Sequence, residues 1–297
     1  MTTLLLLPIA VNLASNTIPE WSQRWLWLSW PAVLLLTGAV ILVDRQGRPW
    51  RRGRVGETGT HIVDETGLDA ACDALRVAVD AQWAEEAAMR GLHRAGRLRV
   101  RWTTAVGSLA ADPAGVLGDE SLAGRPFRLR AHGEVRDLAA SFRRLPNRQL
   151  VVLGAPGSGK TVLALLLTRA LVAAARPGEP VPVLFSLASW RPDAEHLRSW
   201  LARRLKEEYL FLDNDEQYGL AAAERLVTAG RILPILDGLD ELPVALHATA
   251  VQALDLGSAE RPLVVTSRFE QYRAAASGHL LSRAMVILLQ PLSLDDI

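Results

Sequence analysis

The chain has 297 residues, 49% of them hydrophobic, enough for one sizeable core with smaller elements beside it. Its 33 Lys plus Arg nearly cancel 32 Asp plus Glu, which removes any global electrostatic case for nucleic-acid binding. A single cysteine, Cys72, excludes an internal disulfide, and no Cys/His cluster carries zinc-ligand spacing.

Residues Trp25 to Val43 carry no charge over the length needed to cross hydrocarbon. Five of the nine tryptophans fall between Trp21 and Trp50, flanking or entering this run as an interfacial belt does. Arg45, Arg48, Arg51, Arg52 and Arg54 follow at once, so the positive-inside rule places everything downstream in the cytoplasm. The expectation is a membrane segment over residues 1–44 with its main span at 25–43. It is either a single transmembrane anchor or one arm of a helical hairpin begun by the uncharged stretch Thr2 to Pro19. A buried core helix is the alternative.

Residues 45–67 mix Gly47, Gly53, Gly56 and Gly59 with arginines and read as a juxtamembrane linker. Residues 68–140 read as a helical lead-in. Within it Ala71, Cys72, Leu75, Val79, Trp83 and Ala87 recur at three and four residues, predicting an amphipathic helix ending near Gly91 with Cys72 on its core face. Leu98 to Trp102 alternates arginine with apolar residues, a short half-exposed strand. Thr103 to Pro126, rich in Gly, Ala, Asp and Pro, reads as an irregular connection.

After Asn147 strand-like and helical runs alternate. Strands are expected at Gln149–Leu153, Val181–Leu187, Arg231–Asp237, Pro262–Ser267 and Ala284–Gln290. Helices are expected at Thr161–Ala175, Ala194–Tyr209, Glu216–Ala229, Val244–Leu256 and Glu270–Ala276. Apolar strands alternating with helices imply an α/β fold whose parallel sheet is covered on both faces.

Three motifs sit on this frame. Gly154, Ala155, Pro156, Gly157, Ser158, Gly159, Lys160 and Thr161 match GxxxxGK[ST] between a strand and a helix, the context of a phosphate-binding loop. Gly157 and Gly159 permit positive φ and inward-pointing amides, Lys160 reaches the β- and γ-phosphates, and the Thr161 hydroxyl ligates Mg2+. The chain has only two lysines, Lys160 and Lys206, so a compact ammonium has been placed where arginine otherwise supplies positive charge. The second motif, Arg231 to Leu242, ends an apolar strand in a carboxylate cluster. Asp237 is placed to hold Mg2+ directly or through water, and Asp240 and Glu241 to orient or deprotonate the attacking water. Pro234 is awkward inside that strand and would mark a bulge. The third, PLVVTSR, delivers Thr266, Ser267 and Arg268 at the carboxyl end of a strand, where ligands of open α/β sheets gather, so that Arg268 can sense the γ-phosphate.

Together these motifs resemble the NACHT division of the STAND NTPases, signal-transduction relatives of AAA+ ATPases. The resemblance rests on DGLDE, with Gly238 after Asp237 and the acidic pair Asp240 and Glu241 beyond, and on TSR at Thr266 to Arg268. The stretch around Trp83 to Trp102 is similar to the helical lead-in of some actinobacterial members. The resemblance implies a P-loop NTPase domain over 141–290, a sheet of order 5-1-4-3-2, and the start of a helical lid at 291–297. It implies ATP as ligand, with GTP used by some of the family, together with Mg2+. It further implies slow hydrolysis and a nucleotide-dependent homo-oligomer that activates an effector, in bacterial members linked to defence. Winged-helix and sensory-repeat regions would begin beyond Ile297, so a truncated product is expected. The reading is a membrane-anchored switch acting on a nucleoside triphosphate at the cytoplasmic face. A mechanical AAA+-type membrane ATPase and a non-hydrolysing nucleotide-gated scaffold are the alternatives.

Overall fold

Strands that are apolar on both faces must be covered on both faces, and the sheet of this protein is built that way. The structure, a computed structural model, describes residues 65–92, 99–105, 109, 111–117, 132–258 and 261–290. The expected membrane segment at 1–44, nearly all of the linker and the lid start at 291–297 lie outside the described residues. Among the described residues no helix is long and apolar enough to cross a membrane.

The strands are β1 (Arg99–Thr104), β2 (His132–Glu134), β3 (Gln149–Gly154), β4 (Val181–Ser186), β5 (Ile232–Asp237), β6 (Leu263–Arg268) and β7 (Met285–Leu289). The helices are α1 (Glu65–Met89), α2 (Pro113–Leu117), α3 (Val135–Arg144), α4 (Lys160–Ala173), α5 (Leu197–Glu208), α6 (Asp215–Tyr218), α7 (Ala222–Thr228), α8 (His247–Gly257) and α9 (Phe269–Ala275).

The sheet runs β2-β1-β7-β3-β6-β5-β4. It therefore differs from the expected five-strand sheet: β1 extends it at the β7 side, antiparallel to β7, and β2 pairs antiparallel with β1 at the outer edge. The other five strands are parallel, and numbered from β3 onward they stand fifth, first, fourth, third, second. All six residues of β3 are buried. Val151 and Leu153 join one core with Phe185, Trp190, Trp200 and Tyr272, while Leu150 and Val152 join the other with Phe142, Leu163 and Leu167. That split is the two-residue alternation of a central strand. Placing β3 in the middle aims its loop at the carboxyl end of the sheet, flanked by the ends of β6 and β7.

The helix expected from Leu68 forms as α1, and its stripe is the buried one: Ala71, Leu75 and Val79 are fully covered, and Cys72 is buried with them. It packs on α4, α6, α7 and β4. Polar ties add direction: Tyr209 donates to Gln82 Oε1 at 2.7 Å, Arg76 donates to the Glu179 carbonyl at 3.2 Å, and Arg231 pairs with Asp69. The short strand expected at Leu98 to Trp102 forms as β1, longer by two residues at its end, with Val100 and Trp102 buried. Three elements were not expected: β2, α3, and α2, which forms within the stretch Thr103 to Pro126 expected to be irregular. The signal for α3 was present in Val135, Leu138, Ala139 and Phe142, all buried at spacings of three and four. Residue 141, the expected domain start, lies inside this helix.

Two expectations need correction. Glu216–Ala229 is not one helix: it divides between α6 and α7 where Gly219 takes φ 78° and Ala221 φ 54°, which no α-helix accommodates. Pro234 marks no bulge. The register between β4 and β5 runs unbroken through Val183 and Pro234, and the pairing of β5 with β6 begins only at Ile235, so the missing amide interrupts no ladder there.

Leu75 is fully buried in the same core as β3 and β4, so α1 belongs to the folding unit of the sheet. Leu75→Ala is expected to cost about 2–5 kcal/mol in chemical denaturation, shifting a single cooperative transition. A separate, unshifted second transition would show instead that α1 is an appendage.

Candidate functional site

The phosphate loop joins β3 to α4. Gly157 and Gly159 both adopt the left-handed conformation, at φ 74° and 86°, which turns the chain sharply enough for Gly159 to cap α4. Gly154 is constrained by space, since a Cβ there would collide with Ser158 Oγ. The first amides of α4 have no intrahelical partners and carry the positive end of a 14-residue helix, which suits an anion. The Lys160 ammonium donates to the carbonyls of Gly154 at 3.2 Å and Ala155 at 3.0 Å, so it lies back along the loop. Burial lowers its pKa, against the pull of Asp240 and Asp237 and with the help of the Arg268 charge. Ser158 Oγ is buried beside Gly154 and has no hydrogen-bond partner.

The carboxyl ends of β5 and β6 bring the acidic residues to the loop. Asp237 Oδ2 accepts from the Thr161 hydroxyl at 2.8 Å, across 76 positions of sequence. Asp237 Oδ1 accepts from the Thr266 hydroxyl at 2.5 Å, and Thr266 accepts in turn from the Gly238 amide at 3.0 Å. Gly238 stands at φ 82°, and a Cβ there would lie 2.6 Å from Glu241 Cδ, so only glycine lets the chain turn from β5 into the 3-10 turn Leu239–Glu241.

Asp240 and Glu241, grouped together by the sequence reading, are separated by the fold. Asp240 is 7% exposed and both its oxygens face Arg268: Oδ2 meets Nε at 2.7 Å and Oδ1 accepts from the Arg268 amide at 3.0 Å. Arg268 itself remains 47% exposed, so its charge is aimed by a buried partner while the guanidinium stays accessible. Glu241 has no arginine partner of this kind. Its pKa is raised by burial first, then by Asp237 and Asp240, against a hydrogen bond with Ser186 at the end of β4 and the charge of Arg268. Every residue expected at the site is thus gathered at one end of the sheet. Ser186 is an addition, and Thr266, expected only as part of its strand end, gains contacts that no spacing in the sequence signalled.

The arrangement fits a magnesium-bound triphosphate. The Thr161 hydroxyl and Asp237 carboxylate are hard oxygen donors already side by side, and an orphaned hydroxyl and a helix N-terminus line the loop. Among the described residues no group of three or more His, Cys, Asp or Glu could hold a metal by itself. Magnesium at nucleotide sites is usually held by one or two protein oxygens plus phosphates, so this donor set is the appropriate kind.

Comparison with protein-family models matches residues 148–297 to the NACHT domain. No curated protein matches the chain.

The raised pKa of Glu241 has a consequence for stability. The folded state holds this proton more tightly than the unfolded chain, so the contribution is present below the ordinary glutamate value and lost as pH rises through the folded one. Glu241→Gln stays neutral. Its melting temperature is therefore expected to gain on wild type as pH rises from about 4 to about 7. A difference between the two proteins that does not change with pH would contradict the assignment.

Proposed function

The chain belongs to the NACHT family, and on that footing we propose that it is a magnesium-dependent nucleotide switch, binding ATP and hydrolysing it slowly to time a signal. The observation carrying this reading is the 2.8 Å hydrogen bond between the Thr161 hydroxyl and Asp237 Oδ2, which joins the phosphate loop to the acidic strand at one point.

Lys160 neutralises the β- and γ-phosphates, and the amides at the start of α4 cradle them. Magnesium bound with the triphosphate would supply charge neutralisation, and Thr161 and Asp237 would hold it. Glu241 is the proton acceptor for the attacking water, because its carboxylate carries no arginine and its raised pKa brings it toward the working range of a general base. Asp240 serves Arg268, whose exposed guanidinium meets the terminal phosphate. A switch of this kind favours a long-lived bound state over turnover, and the ATP form assembles into a homo-oligomer. GTP is the alternative ligand.

Anchoring rests on the sequence of residues 1–54, where an uncharged run at 25–43 is followed by five arginines. The nucleotide site then works at the cytoplasmic face of the cell membrane, and a role in bacterial defence is the setting we propose.

Two measurements test the reading. With the purified 297-residue chain, Lys160→Ala is expected to abolish saturable nucleotide binding, while Glu241→Gln keeps binding and loses phosphate release by about a hundredfold or more. Equal binding by wild type and Lys160→Ala would end the assignment. Membrane fractions washed with alkaline carbonate are expected to retain the chain, and its release into the wash would remove the anchor from the proposal.

A further inference from the structure

Thr266 contributes no group to the proposed hydrolysis, yet its contacts reach the carboxylate that would hold the cation. The residue is buried, at 1% exposure, and its hydroxyl contacts the last residue of the acidic strand, Asp237, and the first of the turn beyond it, Gly238. A hydroxyl has one proton. The Gly238 amide is itself a donor, so the proton of Thr266 must go to Asp237 Oδ1. The direction of the bond is fixed by the partners.

That bond leaves Asp237 with little freedom. Oδ1 is held by Thr266 at 2.5 Å and Oδ2 faces the Thr161 hydroxyl at 2.8 Å. The two threonines differ in how they are anchored. Thr161 lies at the junction of the loop and α4, beside two glycines with positive φ. Thr266 lies within β6, in register with Val152 of β3, so its place is set by the sheet core rather than by the loop. It also ties down the Gly238 amide, the first group of the turn that carries Asp240 and Glu241.

We propose that Thr266 is a positioning residue for the divalent cation of the nucleotide complex: it clamps Asp237 from the side opposite Thr161, so that Oδ2 is kept ready as a ligand. Without that hydroxyl the Asp237 carboxylate can turn about its side-chain bonds, and the oxygen pair formed with Thr161 must be assembled when the cation binds. Partners that orient a metal ligand typically govern affinity by about ten- to a hundredfold. The proposal rests on the magnesium–nucleotide reading above, and the test separates the two.

The experiment follows binding of a fluorescent ATP analogue to the 297-residue chain while Mg2+ is titrated, and again in EDTA. Thr266→Val removes the hydroxyl and keeps the shape. It is expected to raise the half-saturating Mg2+ concentration about tenfold while leaving binding in EDTA as in wild type. Thr266→Ser keeps the hydroxyl and removes the methyl, and is expected to restore the wild-type Mg2+ dependence. A packing role would give the reverse order. Thr266→Ala, which also lacks the hydroxyl, carries the same expectation as valine should valine not be accommodated. A hydroxyl-free variant with wild-type Mg2+ dependence overturns this proposal alone. Loss of binding in EDTA as well overturns it by showing a general effect on the loop. A wild-type chain that binds no nucleotide overturns the underlying reading and this inference with it.

Discussion

The carboxylate of Asp237 is the point on which the site turns. One oxygen meets the loop through Thr161 and the other meets the neighbouring strand through Thr266. A carboxylate accepts at both oxygens without donating, and its neighbours here are both donors, so the bonding is complementary. Because β5 and β6 are adjacent and β3 lies just beyond, three carboxyl ends converge within the reach of short side chains. Moving any of them by one residue would turn its side chain to the opposite face.

From that constraint the rest of the site follows by sorting charge. The two acidic residues beyond Gly238 are neighbours in sequence but live in different surroundings. Asp240 is a buried carboxylate that orients an accessible arginine, while burial and then the like charges of Asp237 and Asp240 disfavour the ionisation of Glu241. Placing groups of one chemical type in environments that push them apart is how a small cluster acquires more than one role.

How much was legible in the sequence follows from how local each requirement is. The five parallel strands were readable because burial on both faces leaves unbroken apolar runs such as Leu150 to Leu153. The loop glycines were readable because positive φ leaves few alternatives. The split near Gly219 was harder, because the helical pattern of Glu216–Ala229 outweighed one glycine and no sequence rule places Ala221 at positive φ. The pairing of Asp240 with Arg268 spans 28 positions and exists only because β5 and β6 are neighbours. The same holds for Thr266 and Asp237. Such contacts are properties of strand order, which a single sequence gives through resemblance and not through periodicity. The antiparallel strands β1 and β2 were half hidden, since three-residue pairings leave almost no pattern to detect.

The packing of α1 and β1 bears on where this protein can be cut. The family match starts at residue 148, yet Leu68, Ala71, Leu75 and Val79 lie in the same core as the sheet, and β1 lines the outer side of β7. A recombinant fragment begun at 148 would bare that apolar face to water and leave β7 as an open strand edge, the kind of surface on which chains stick to one another. Poor solubility of such a fragment would then report the position of the scissors rather than any failure of the nucleotide site. The stretch matched to the family begins well inside the stretch that packs as one core.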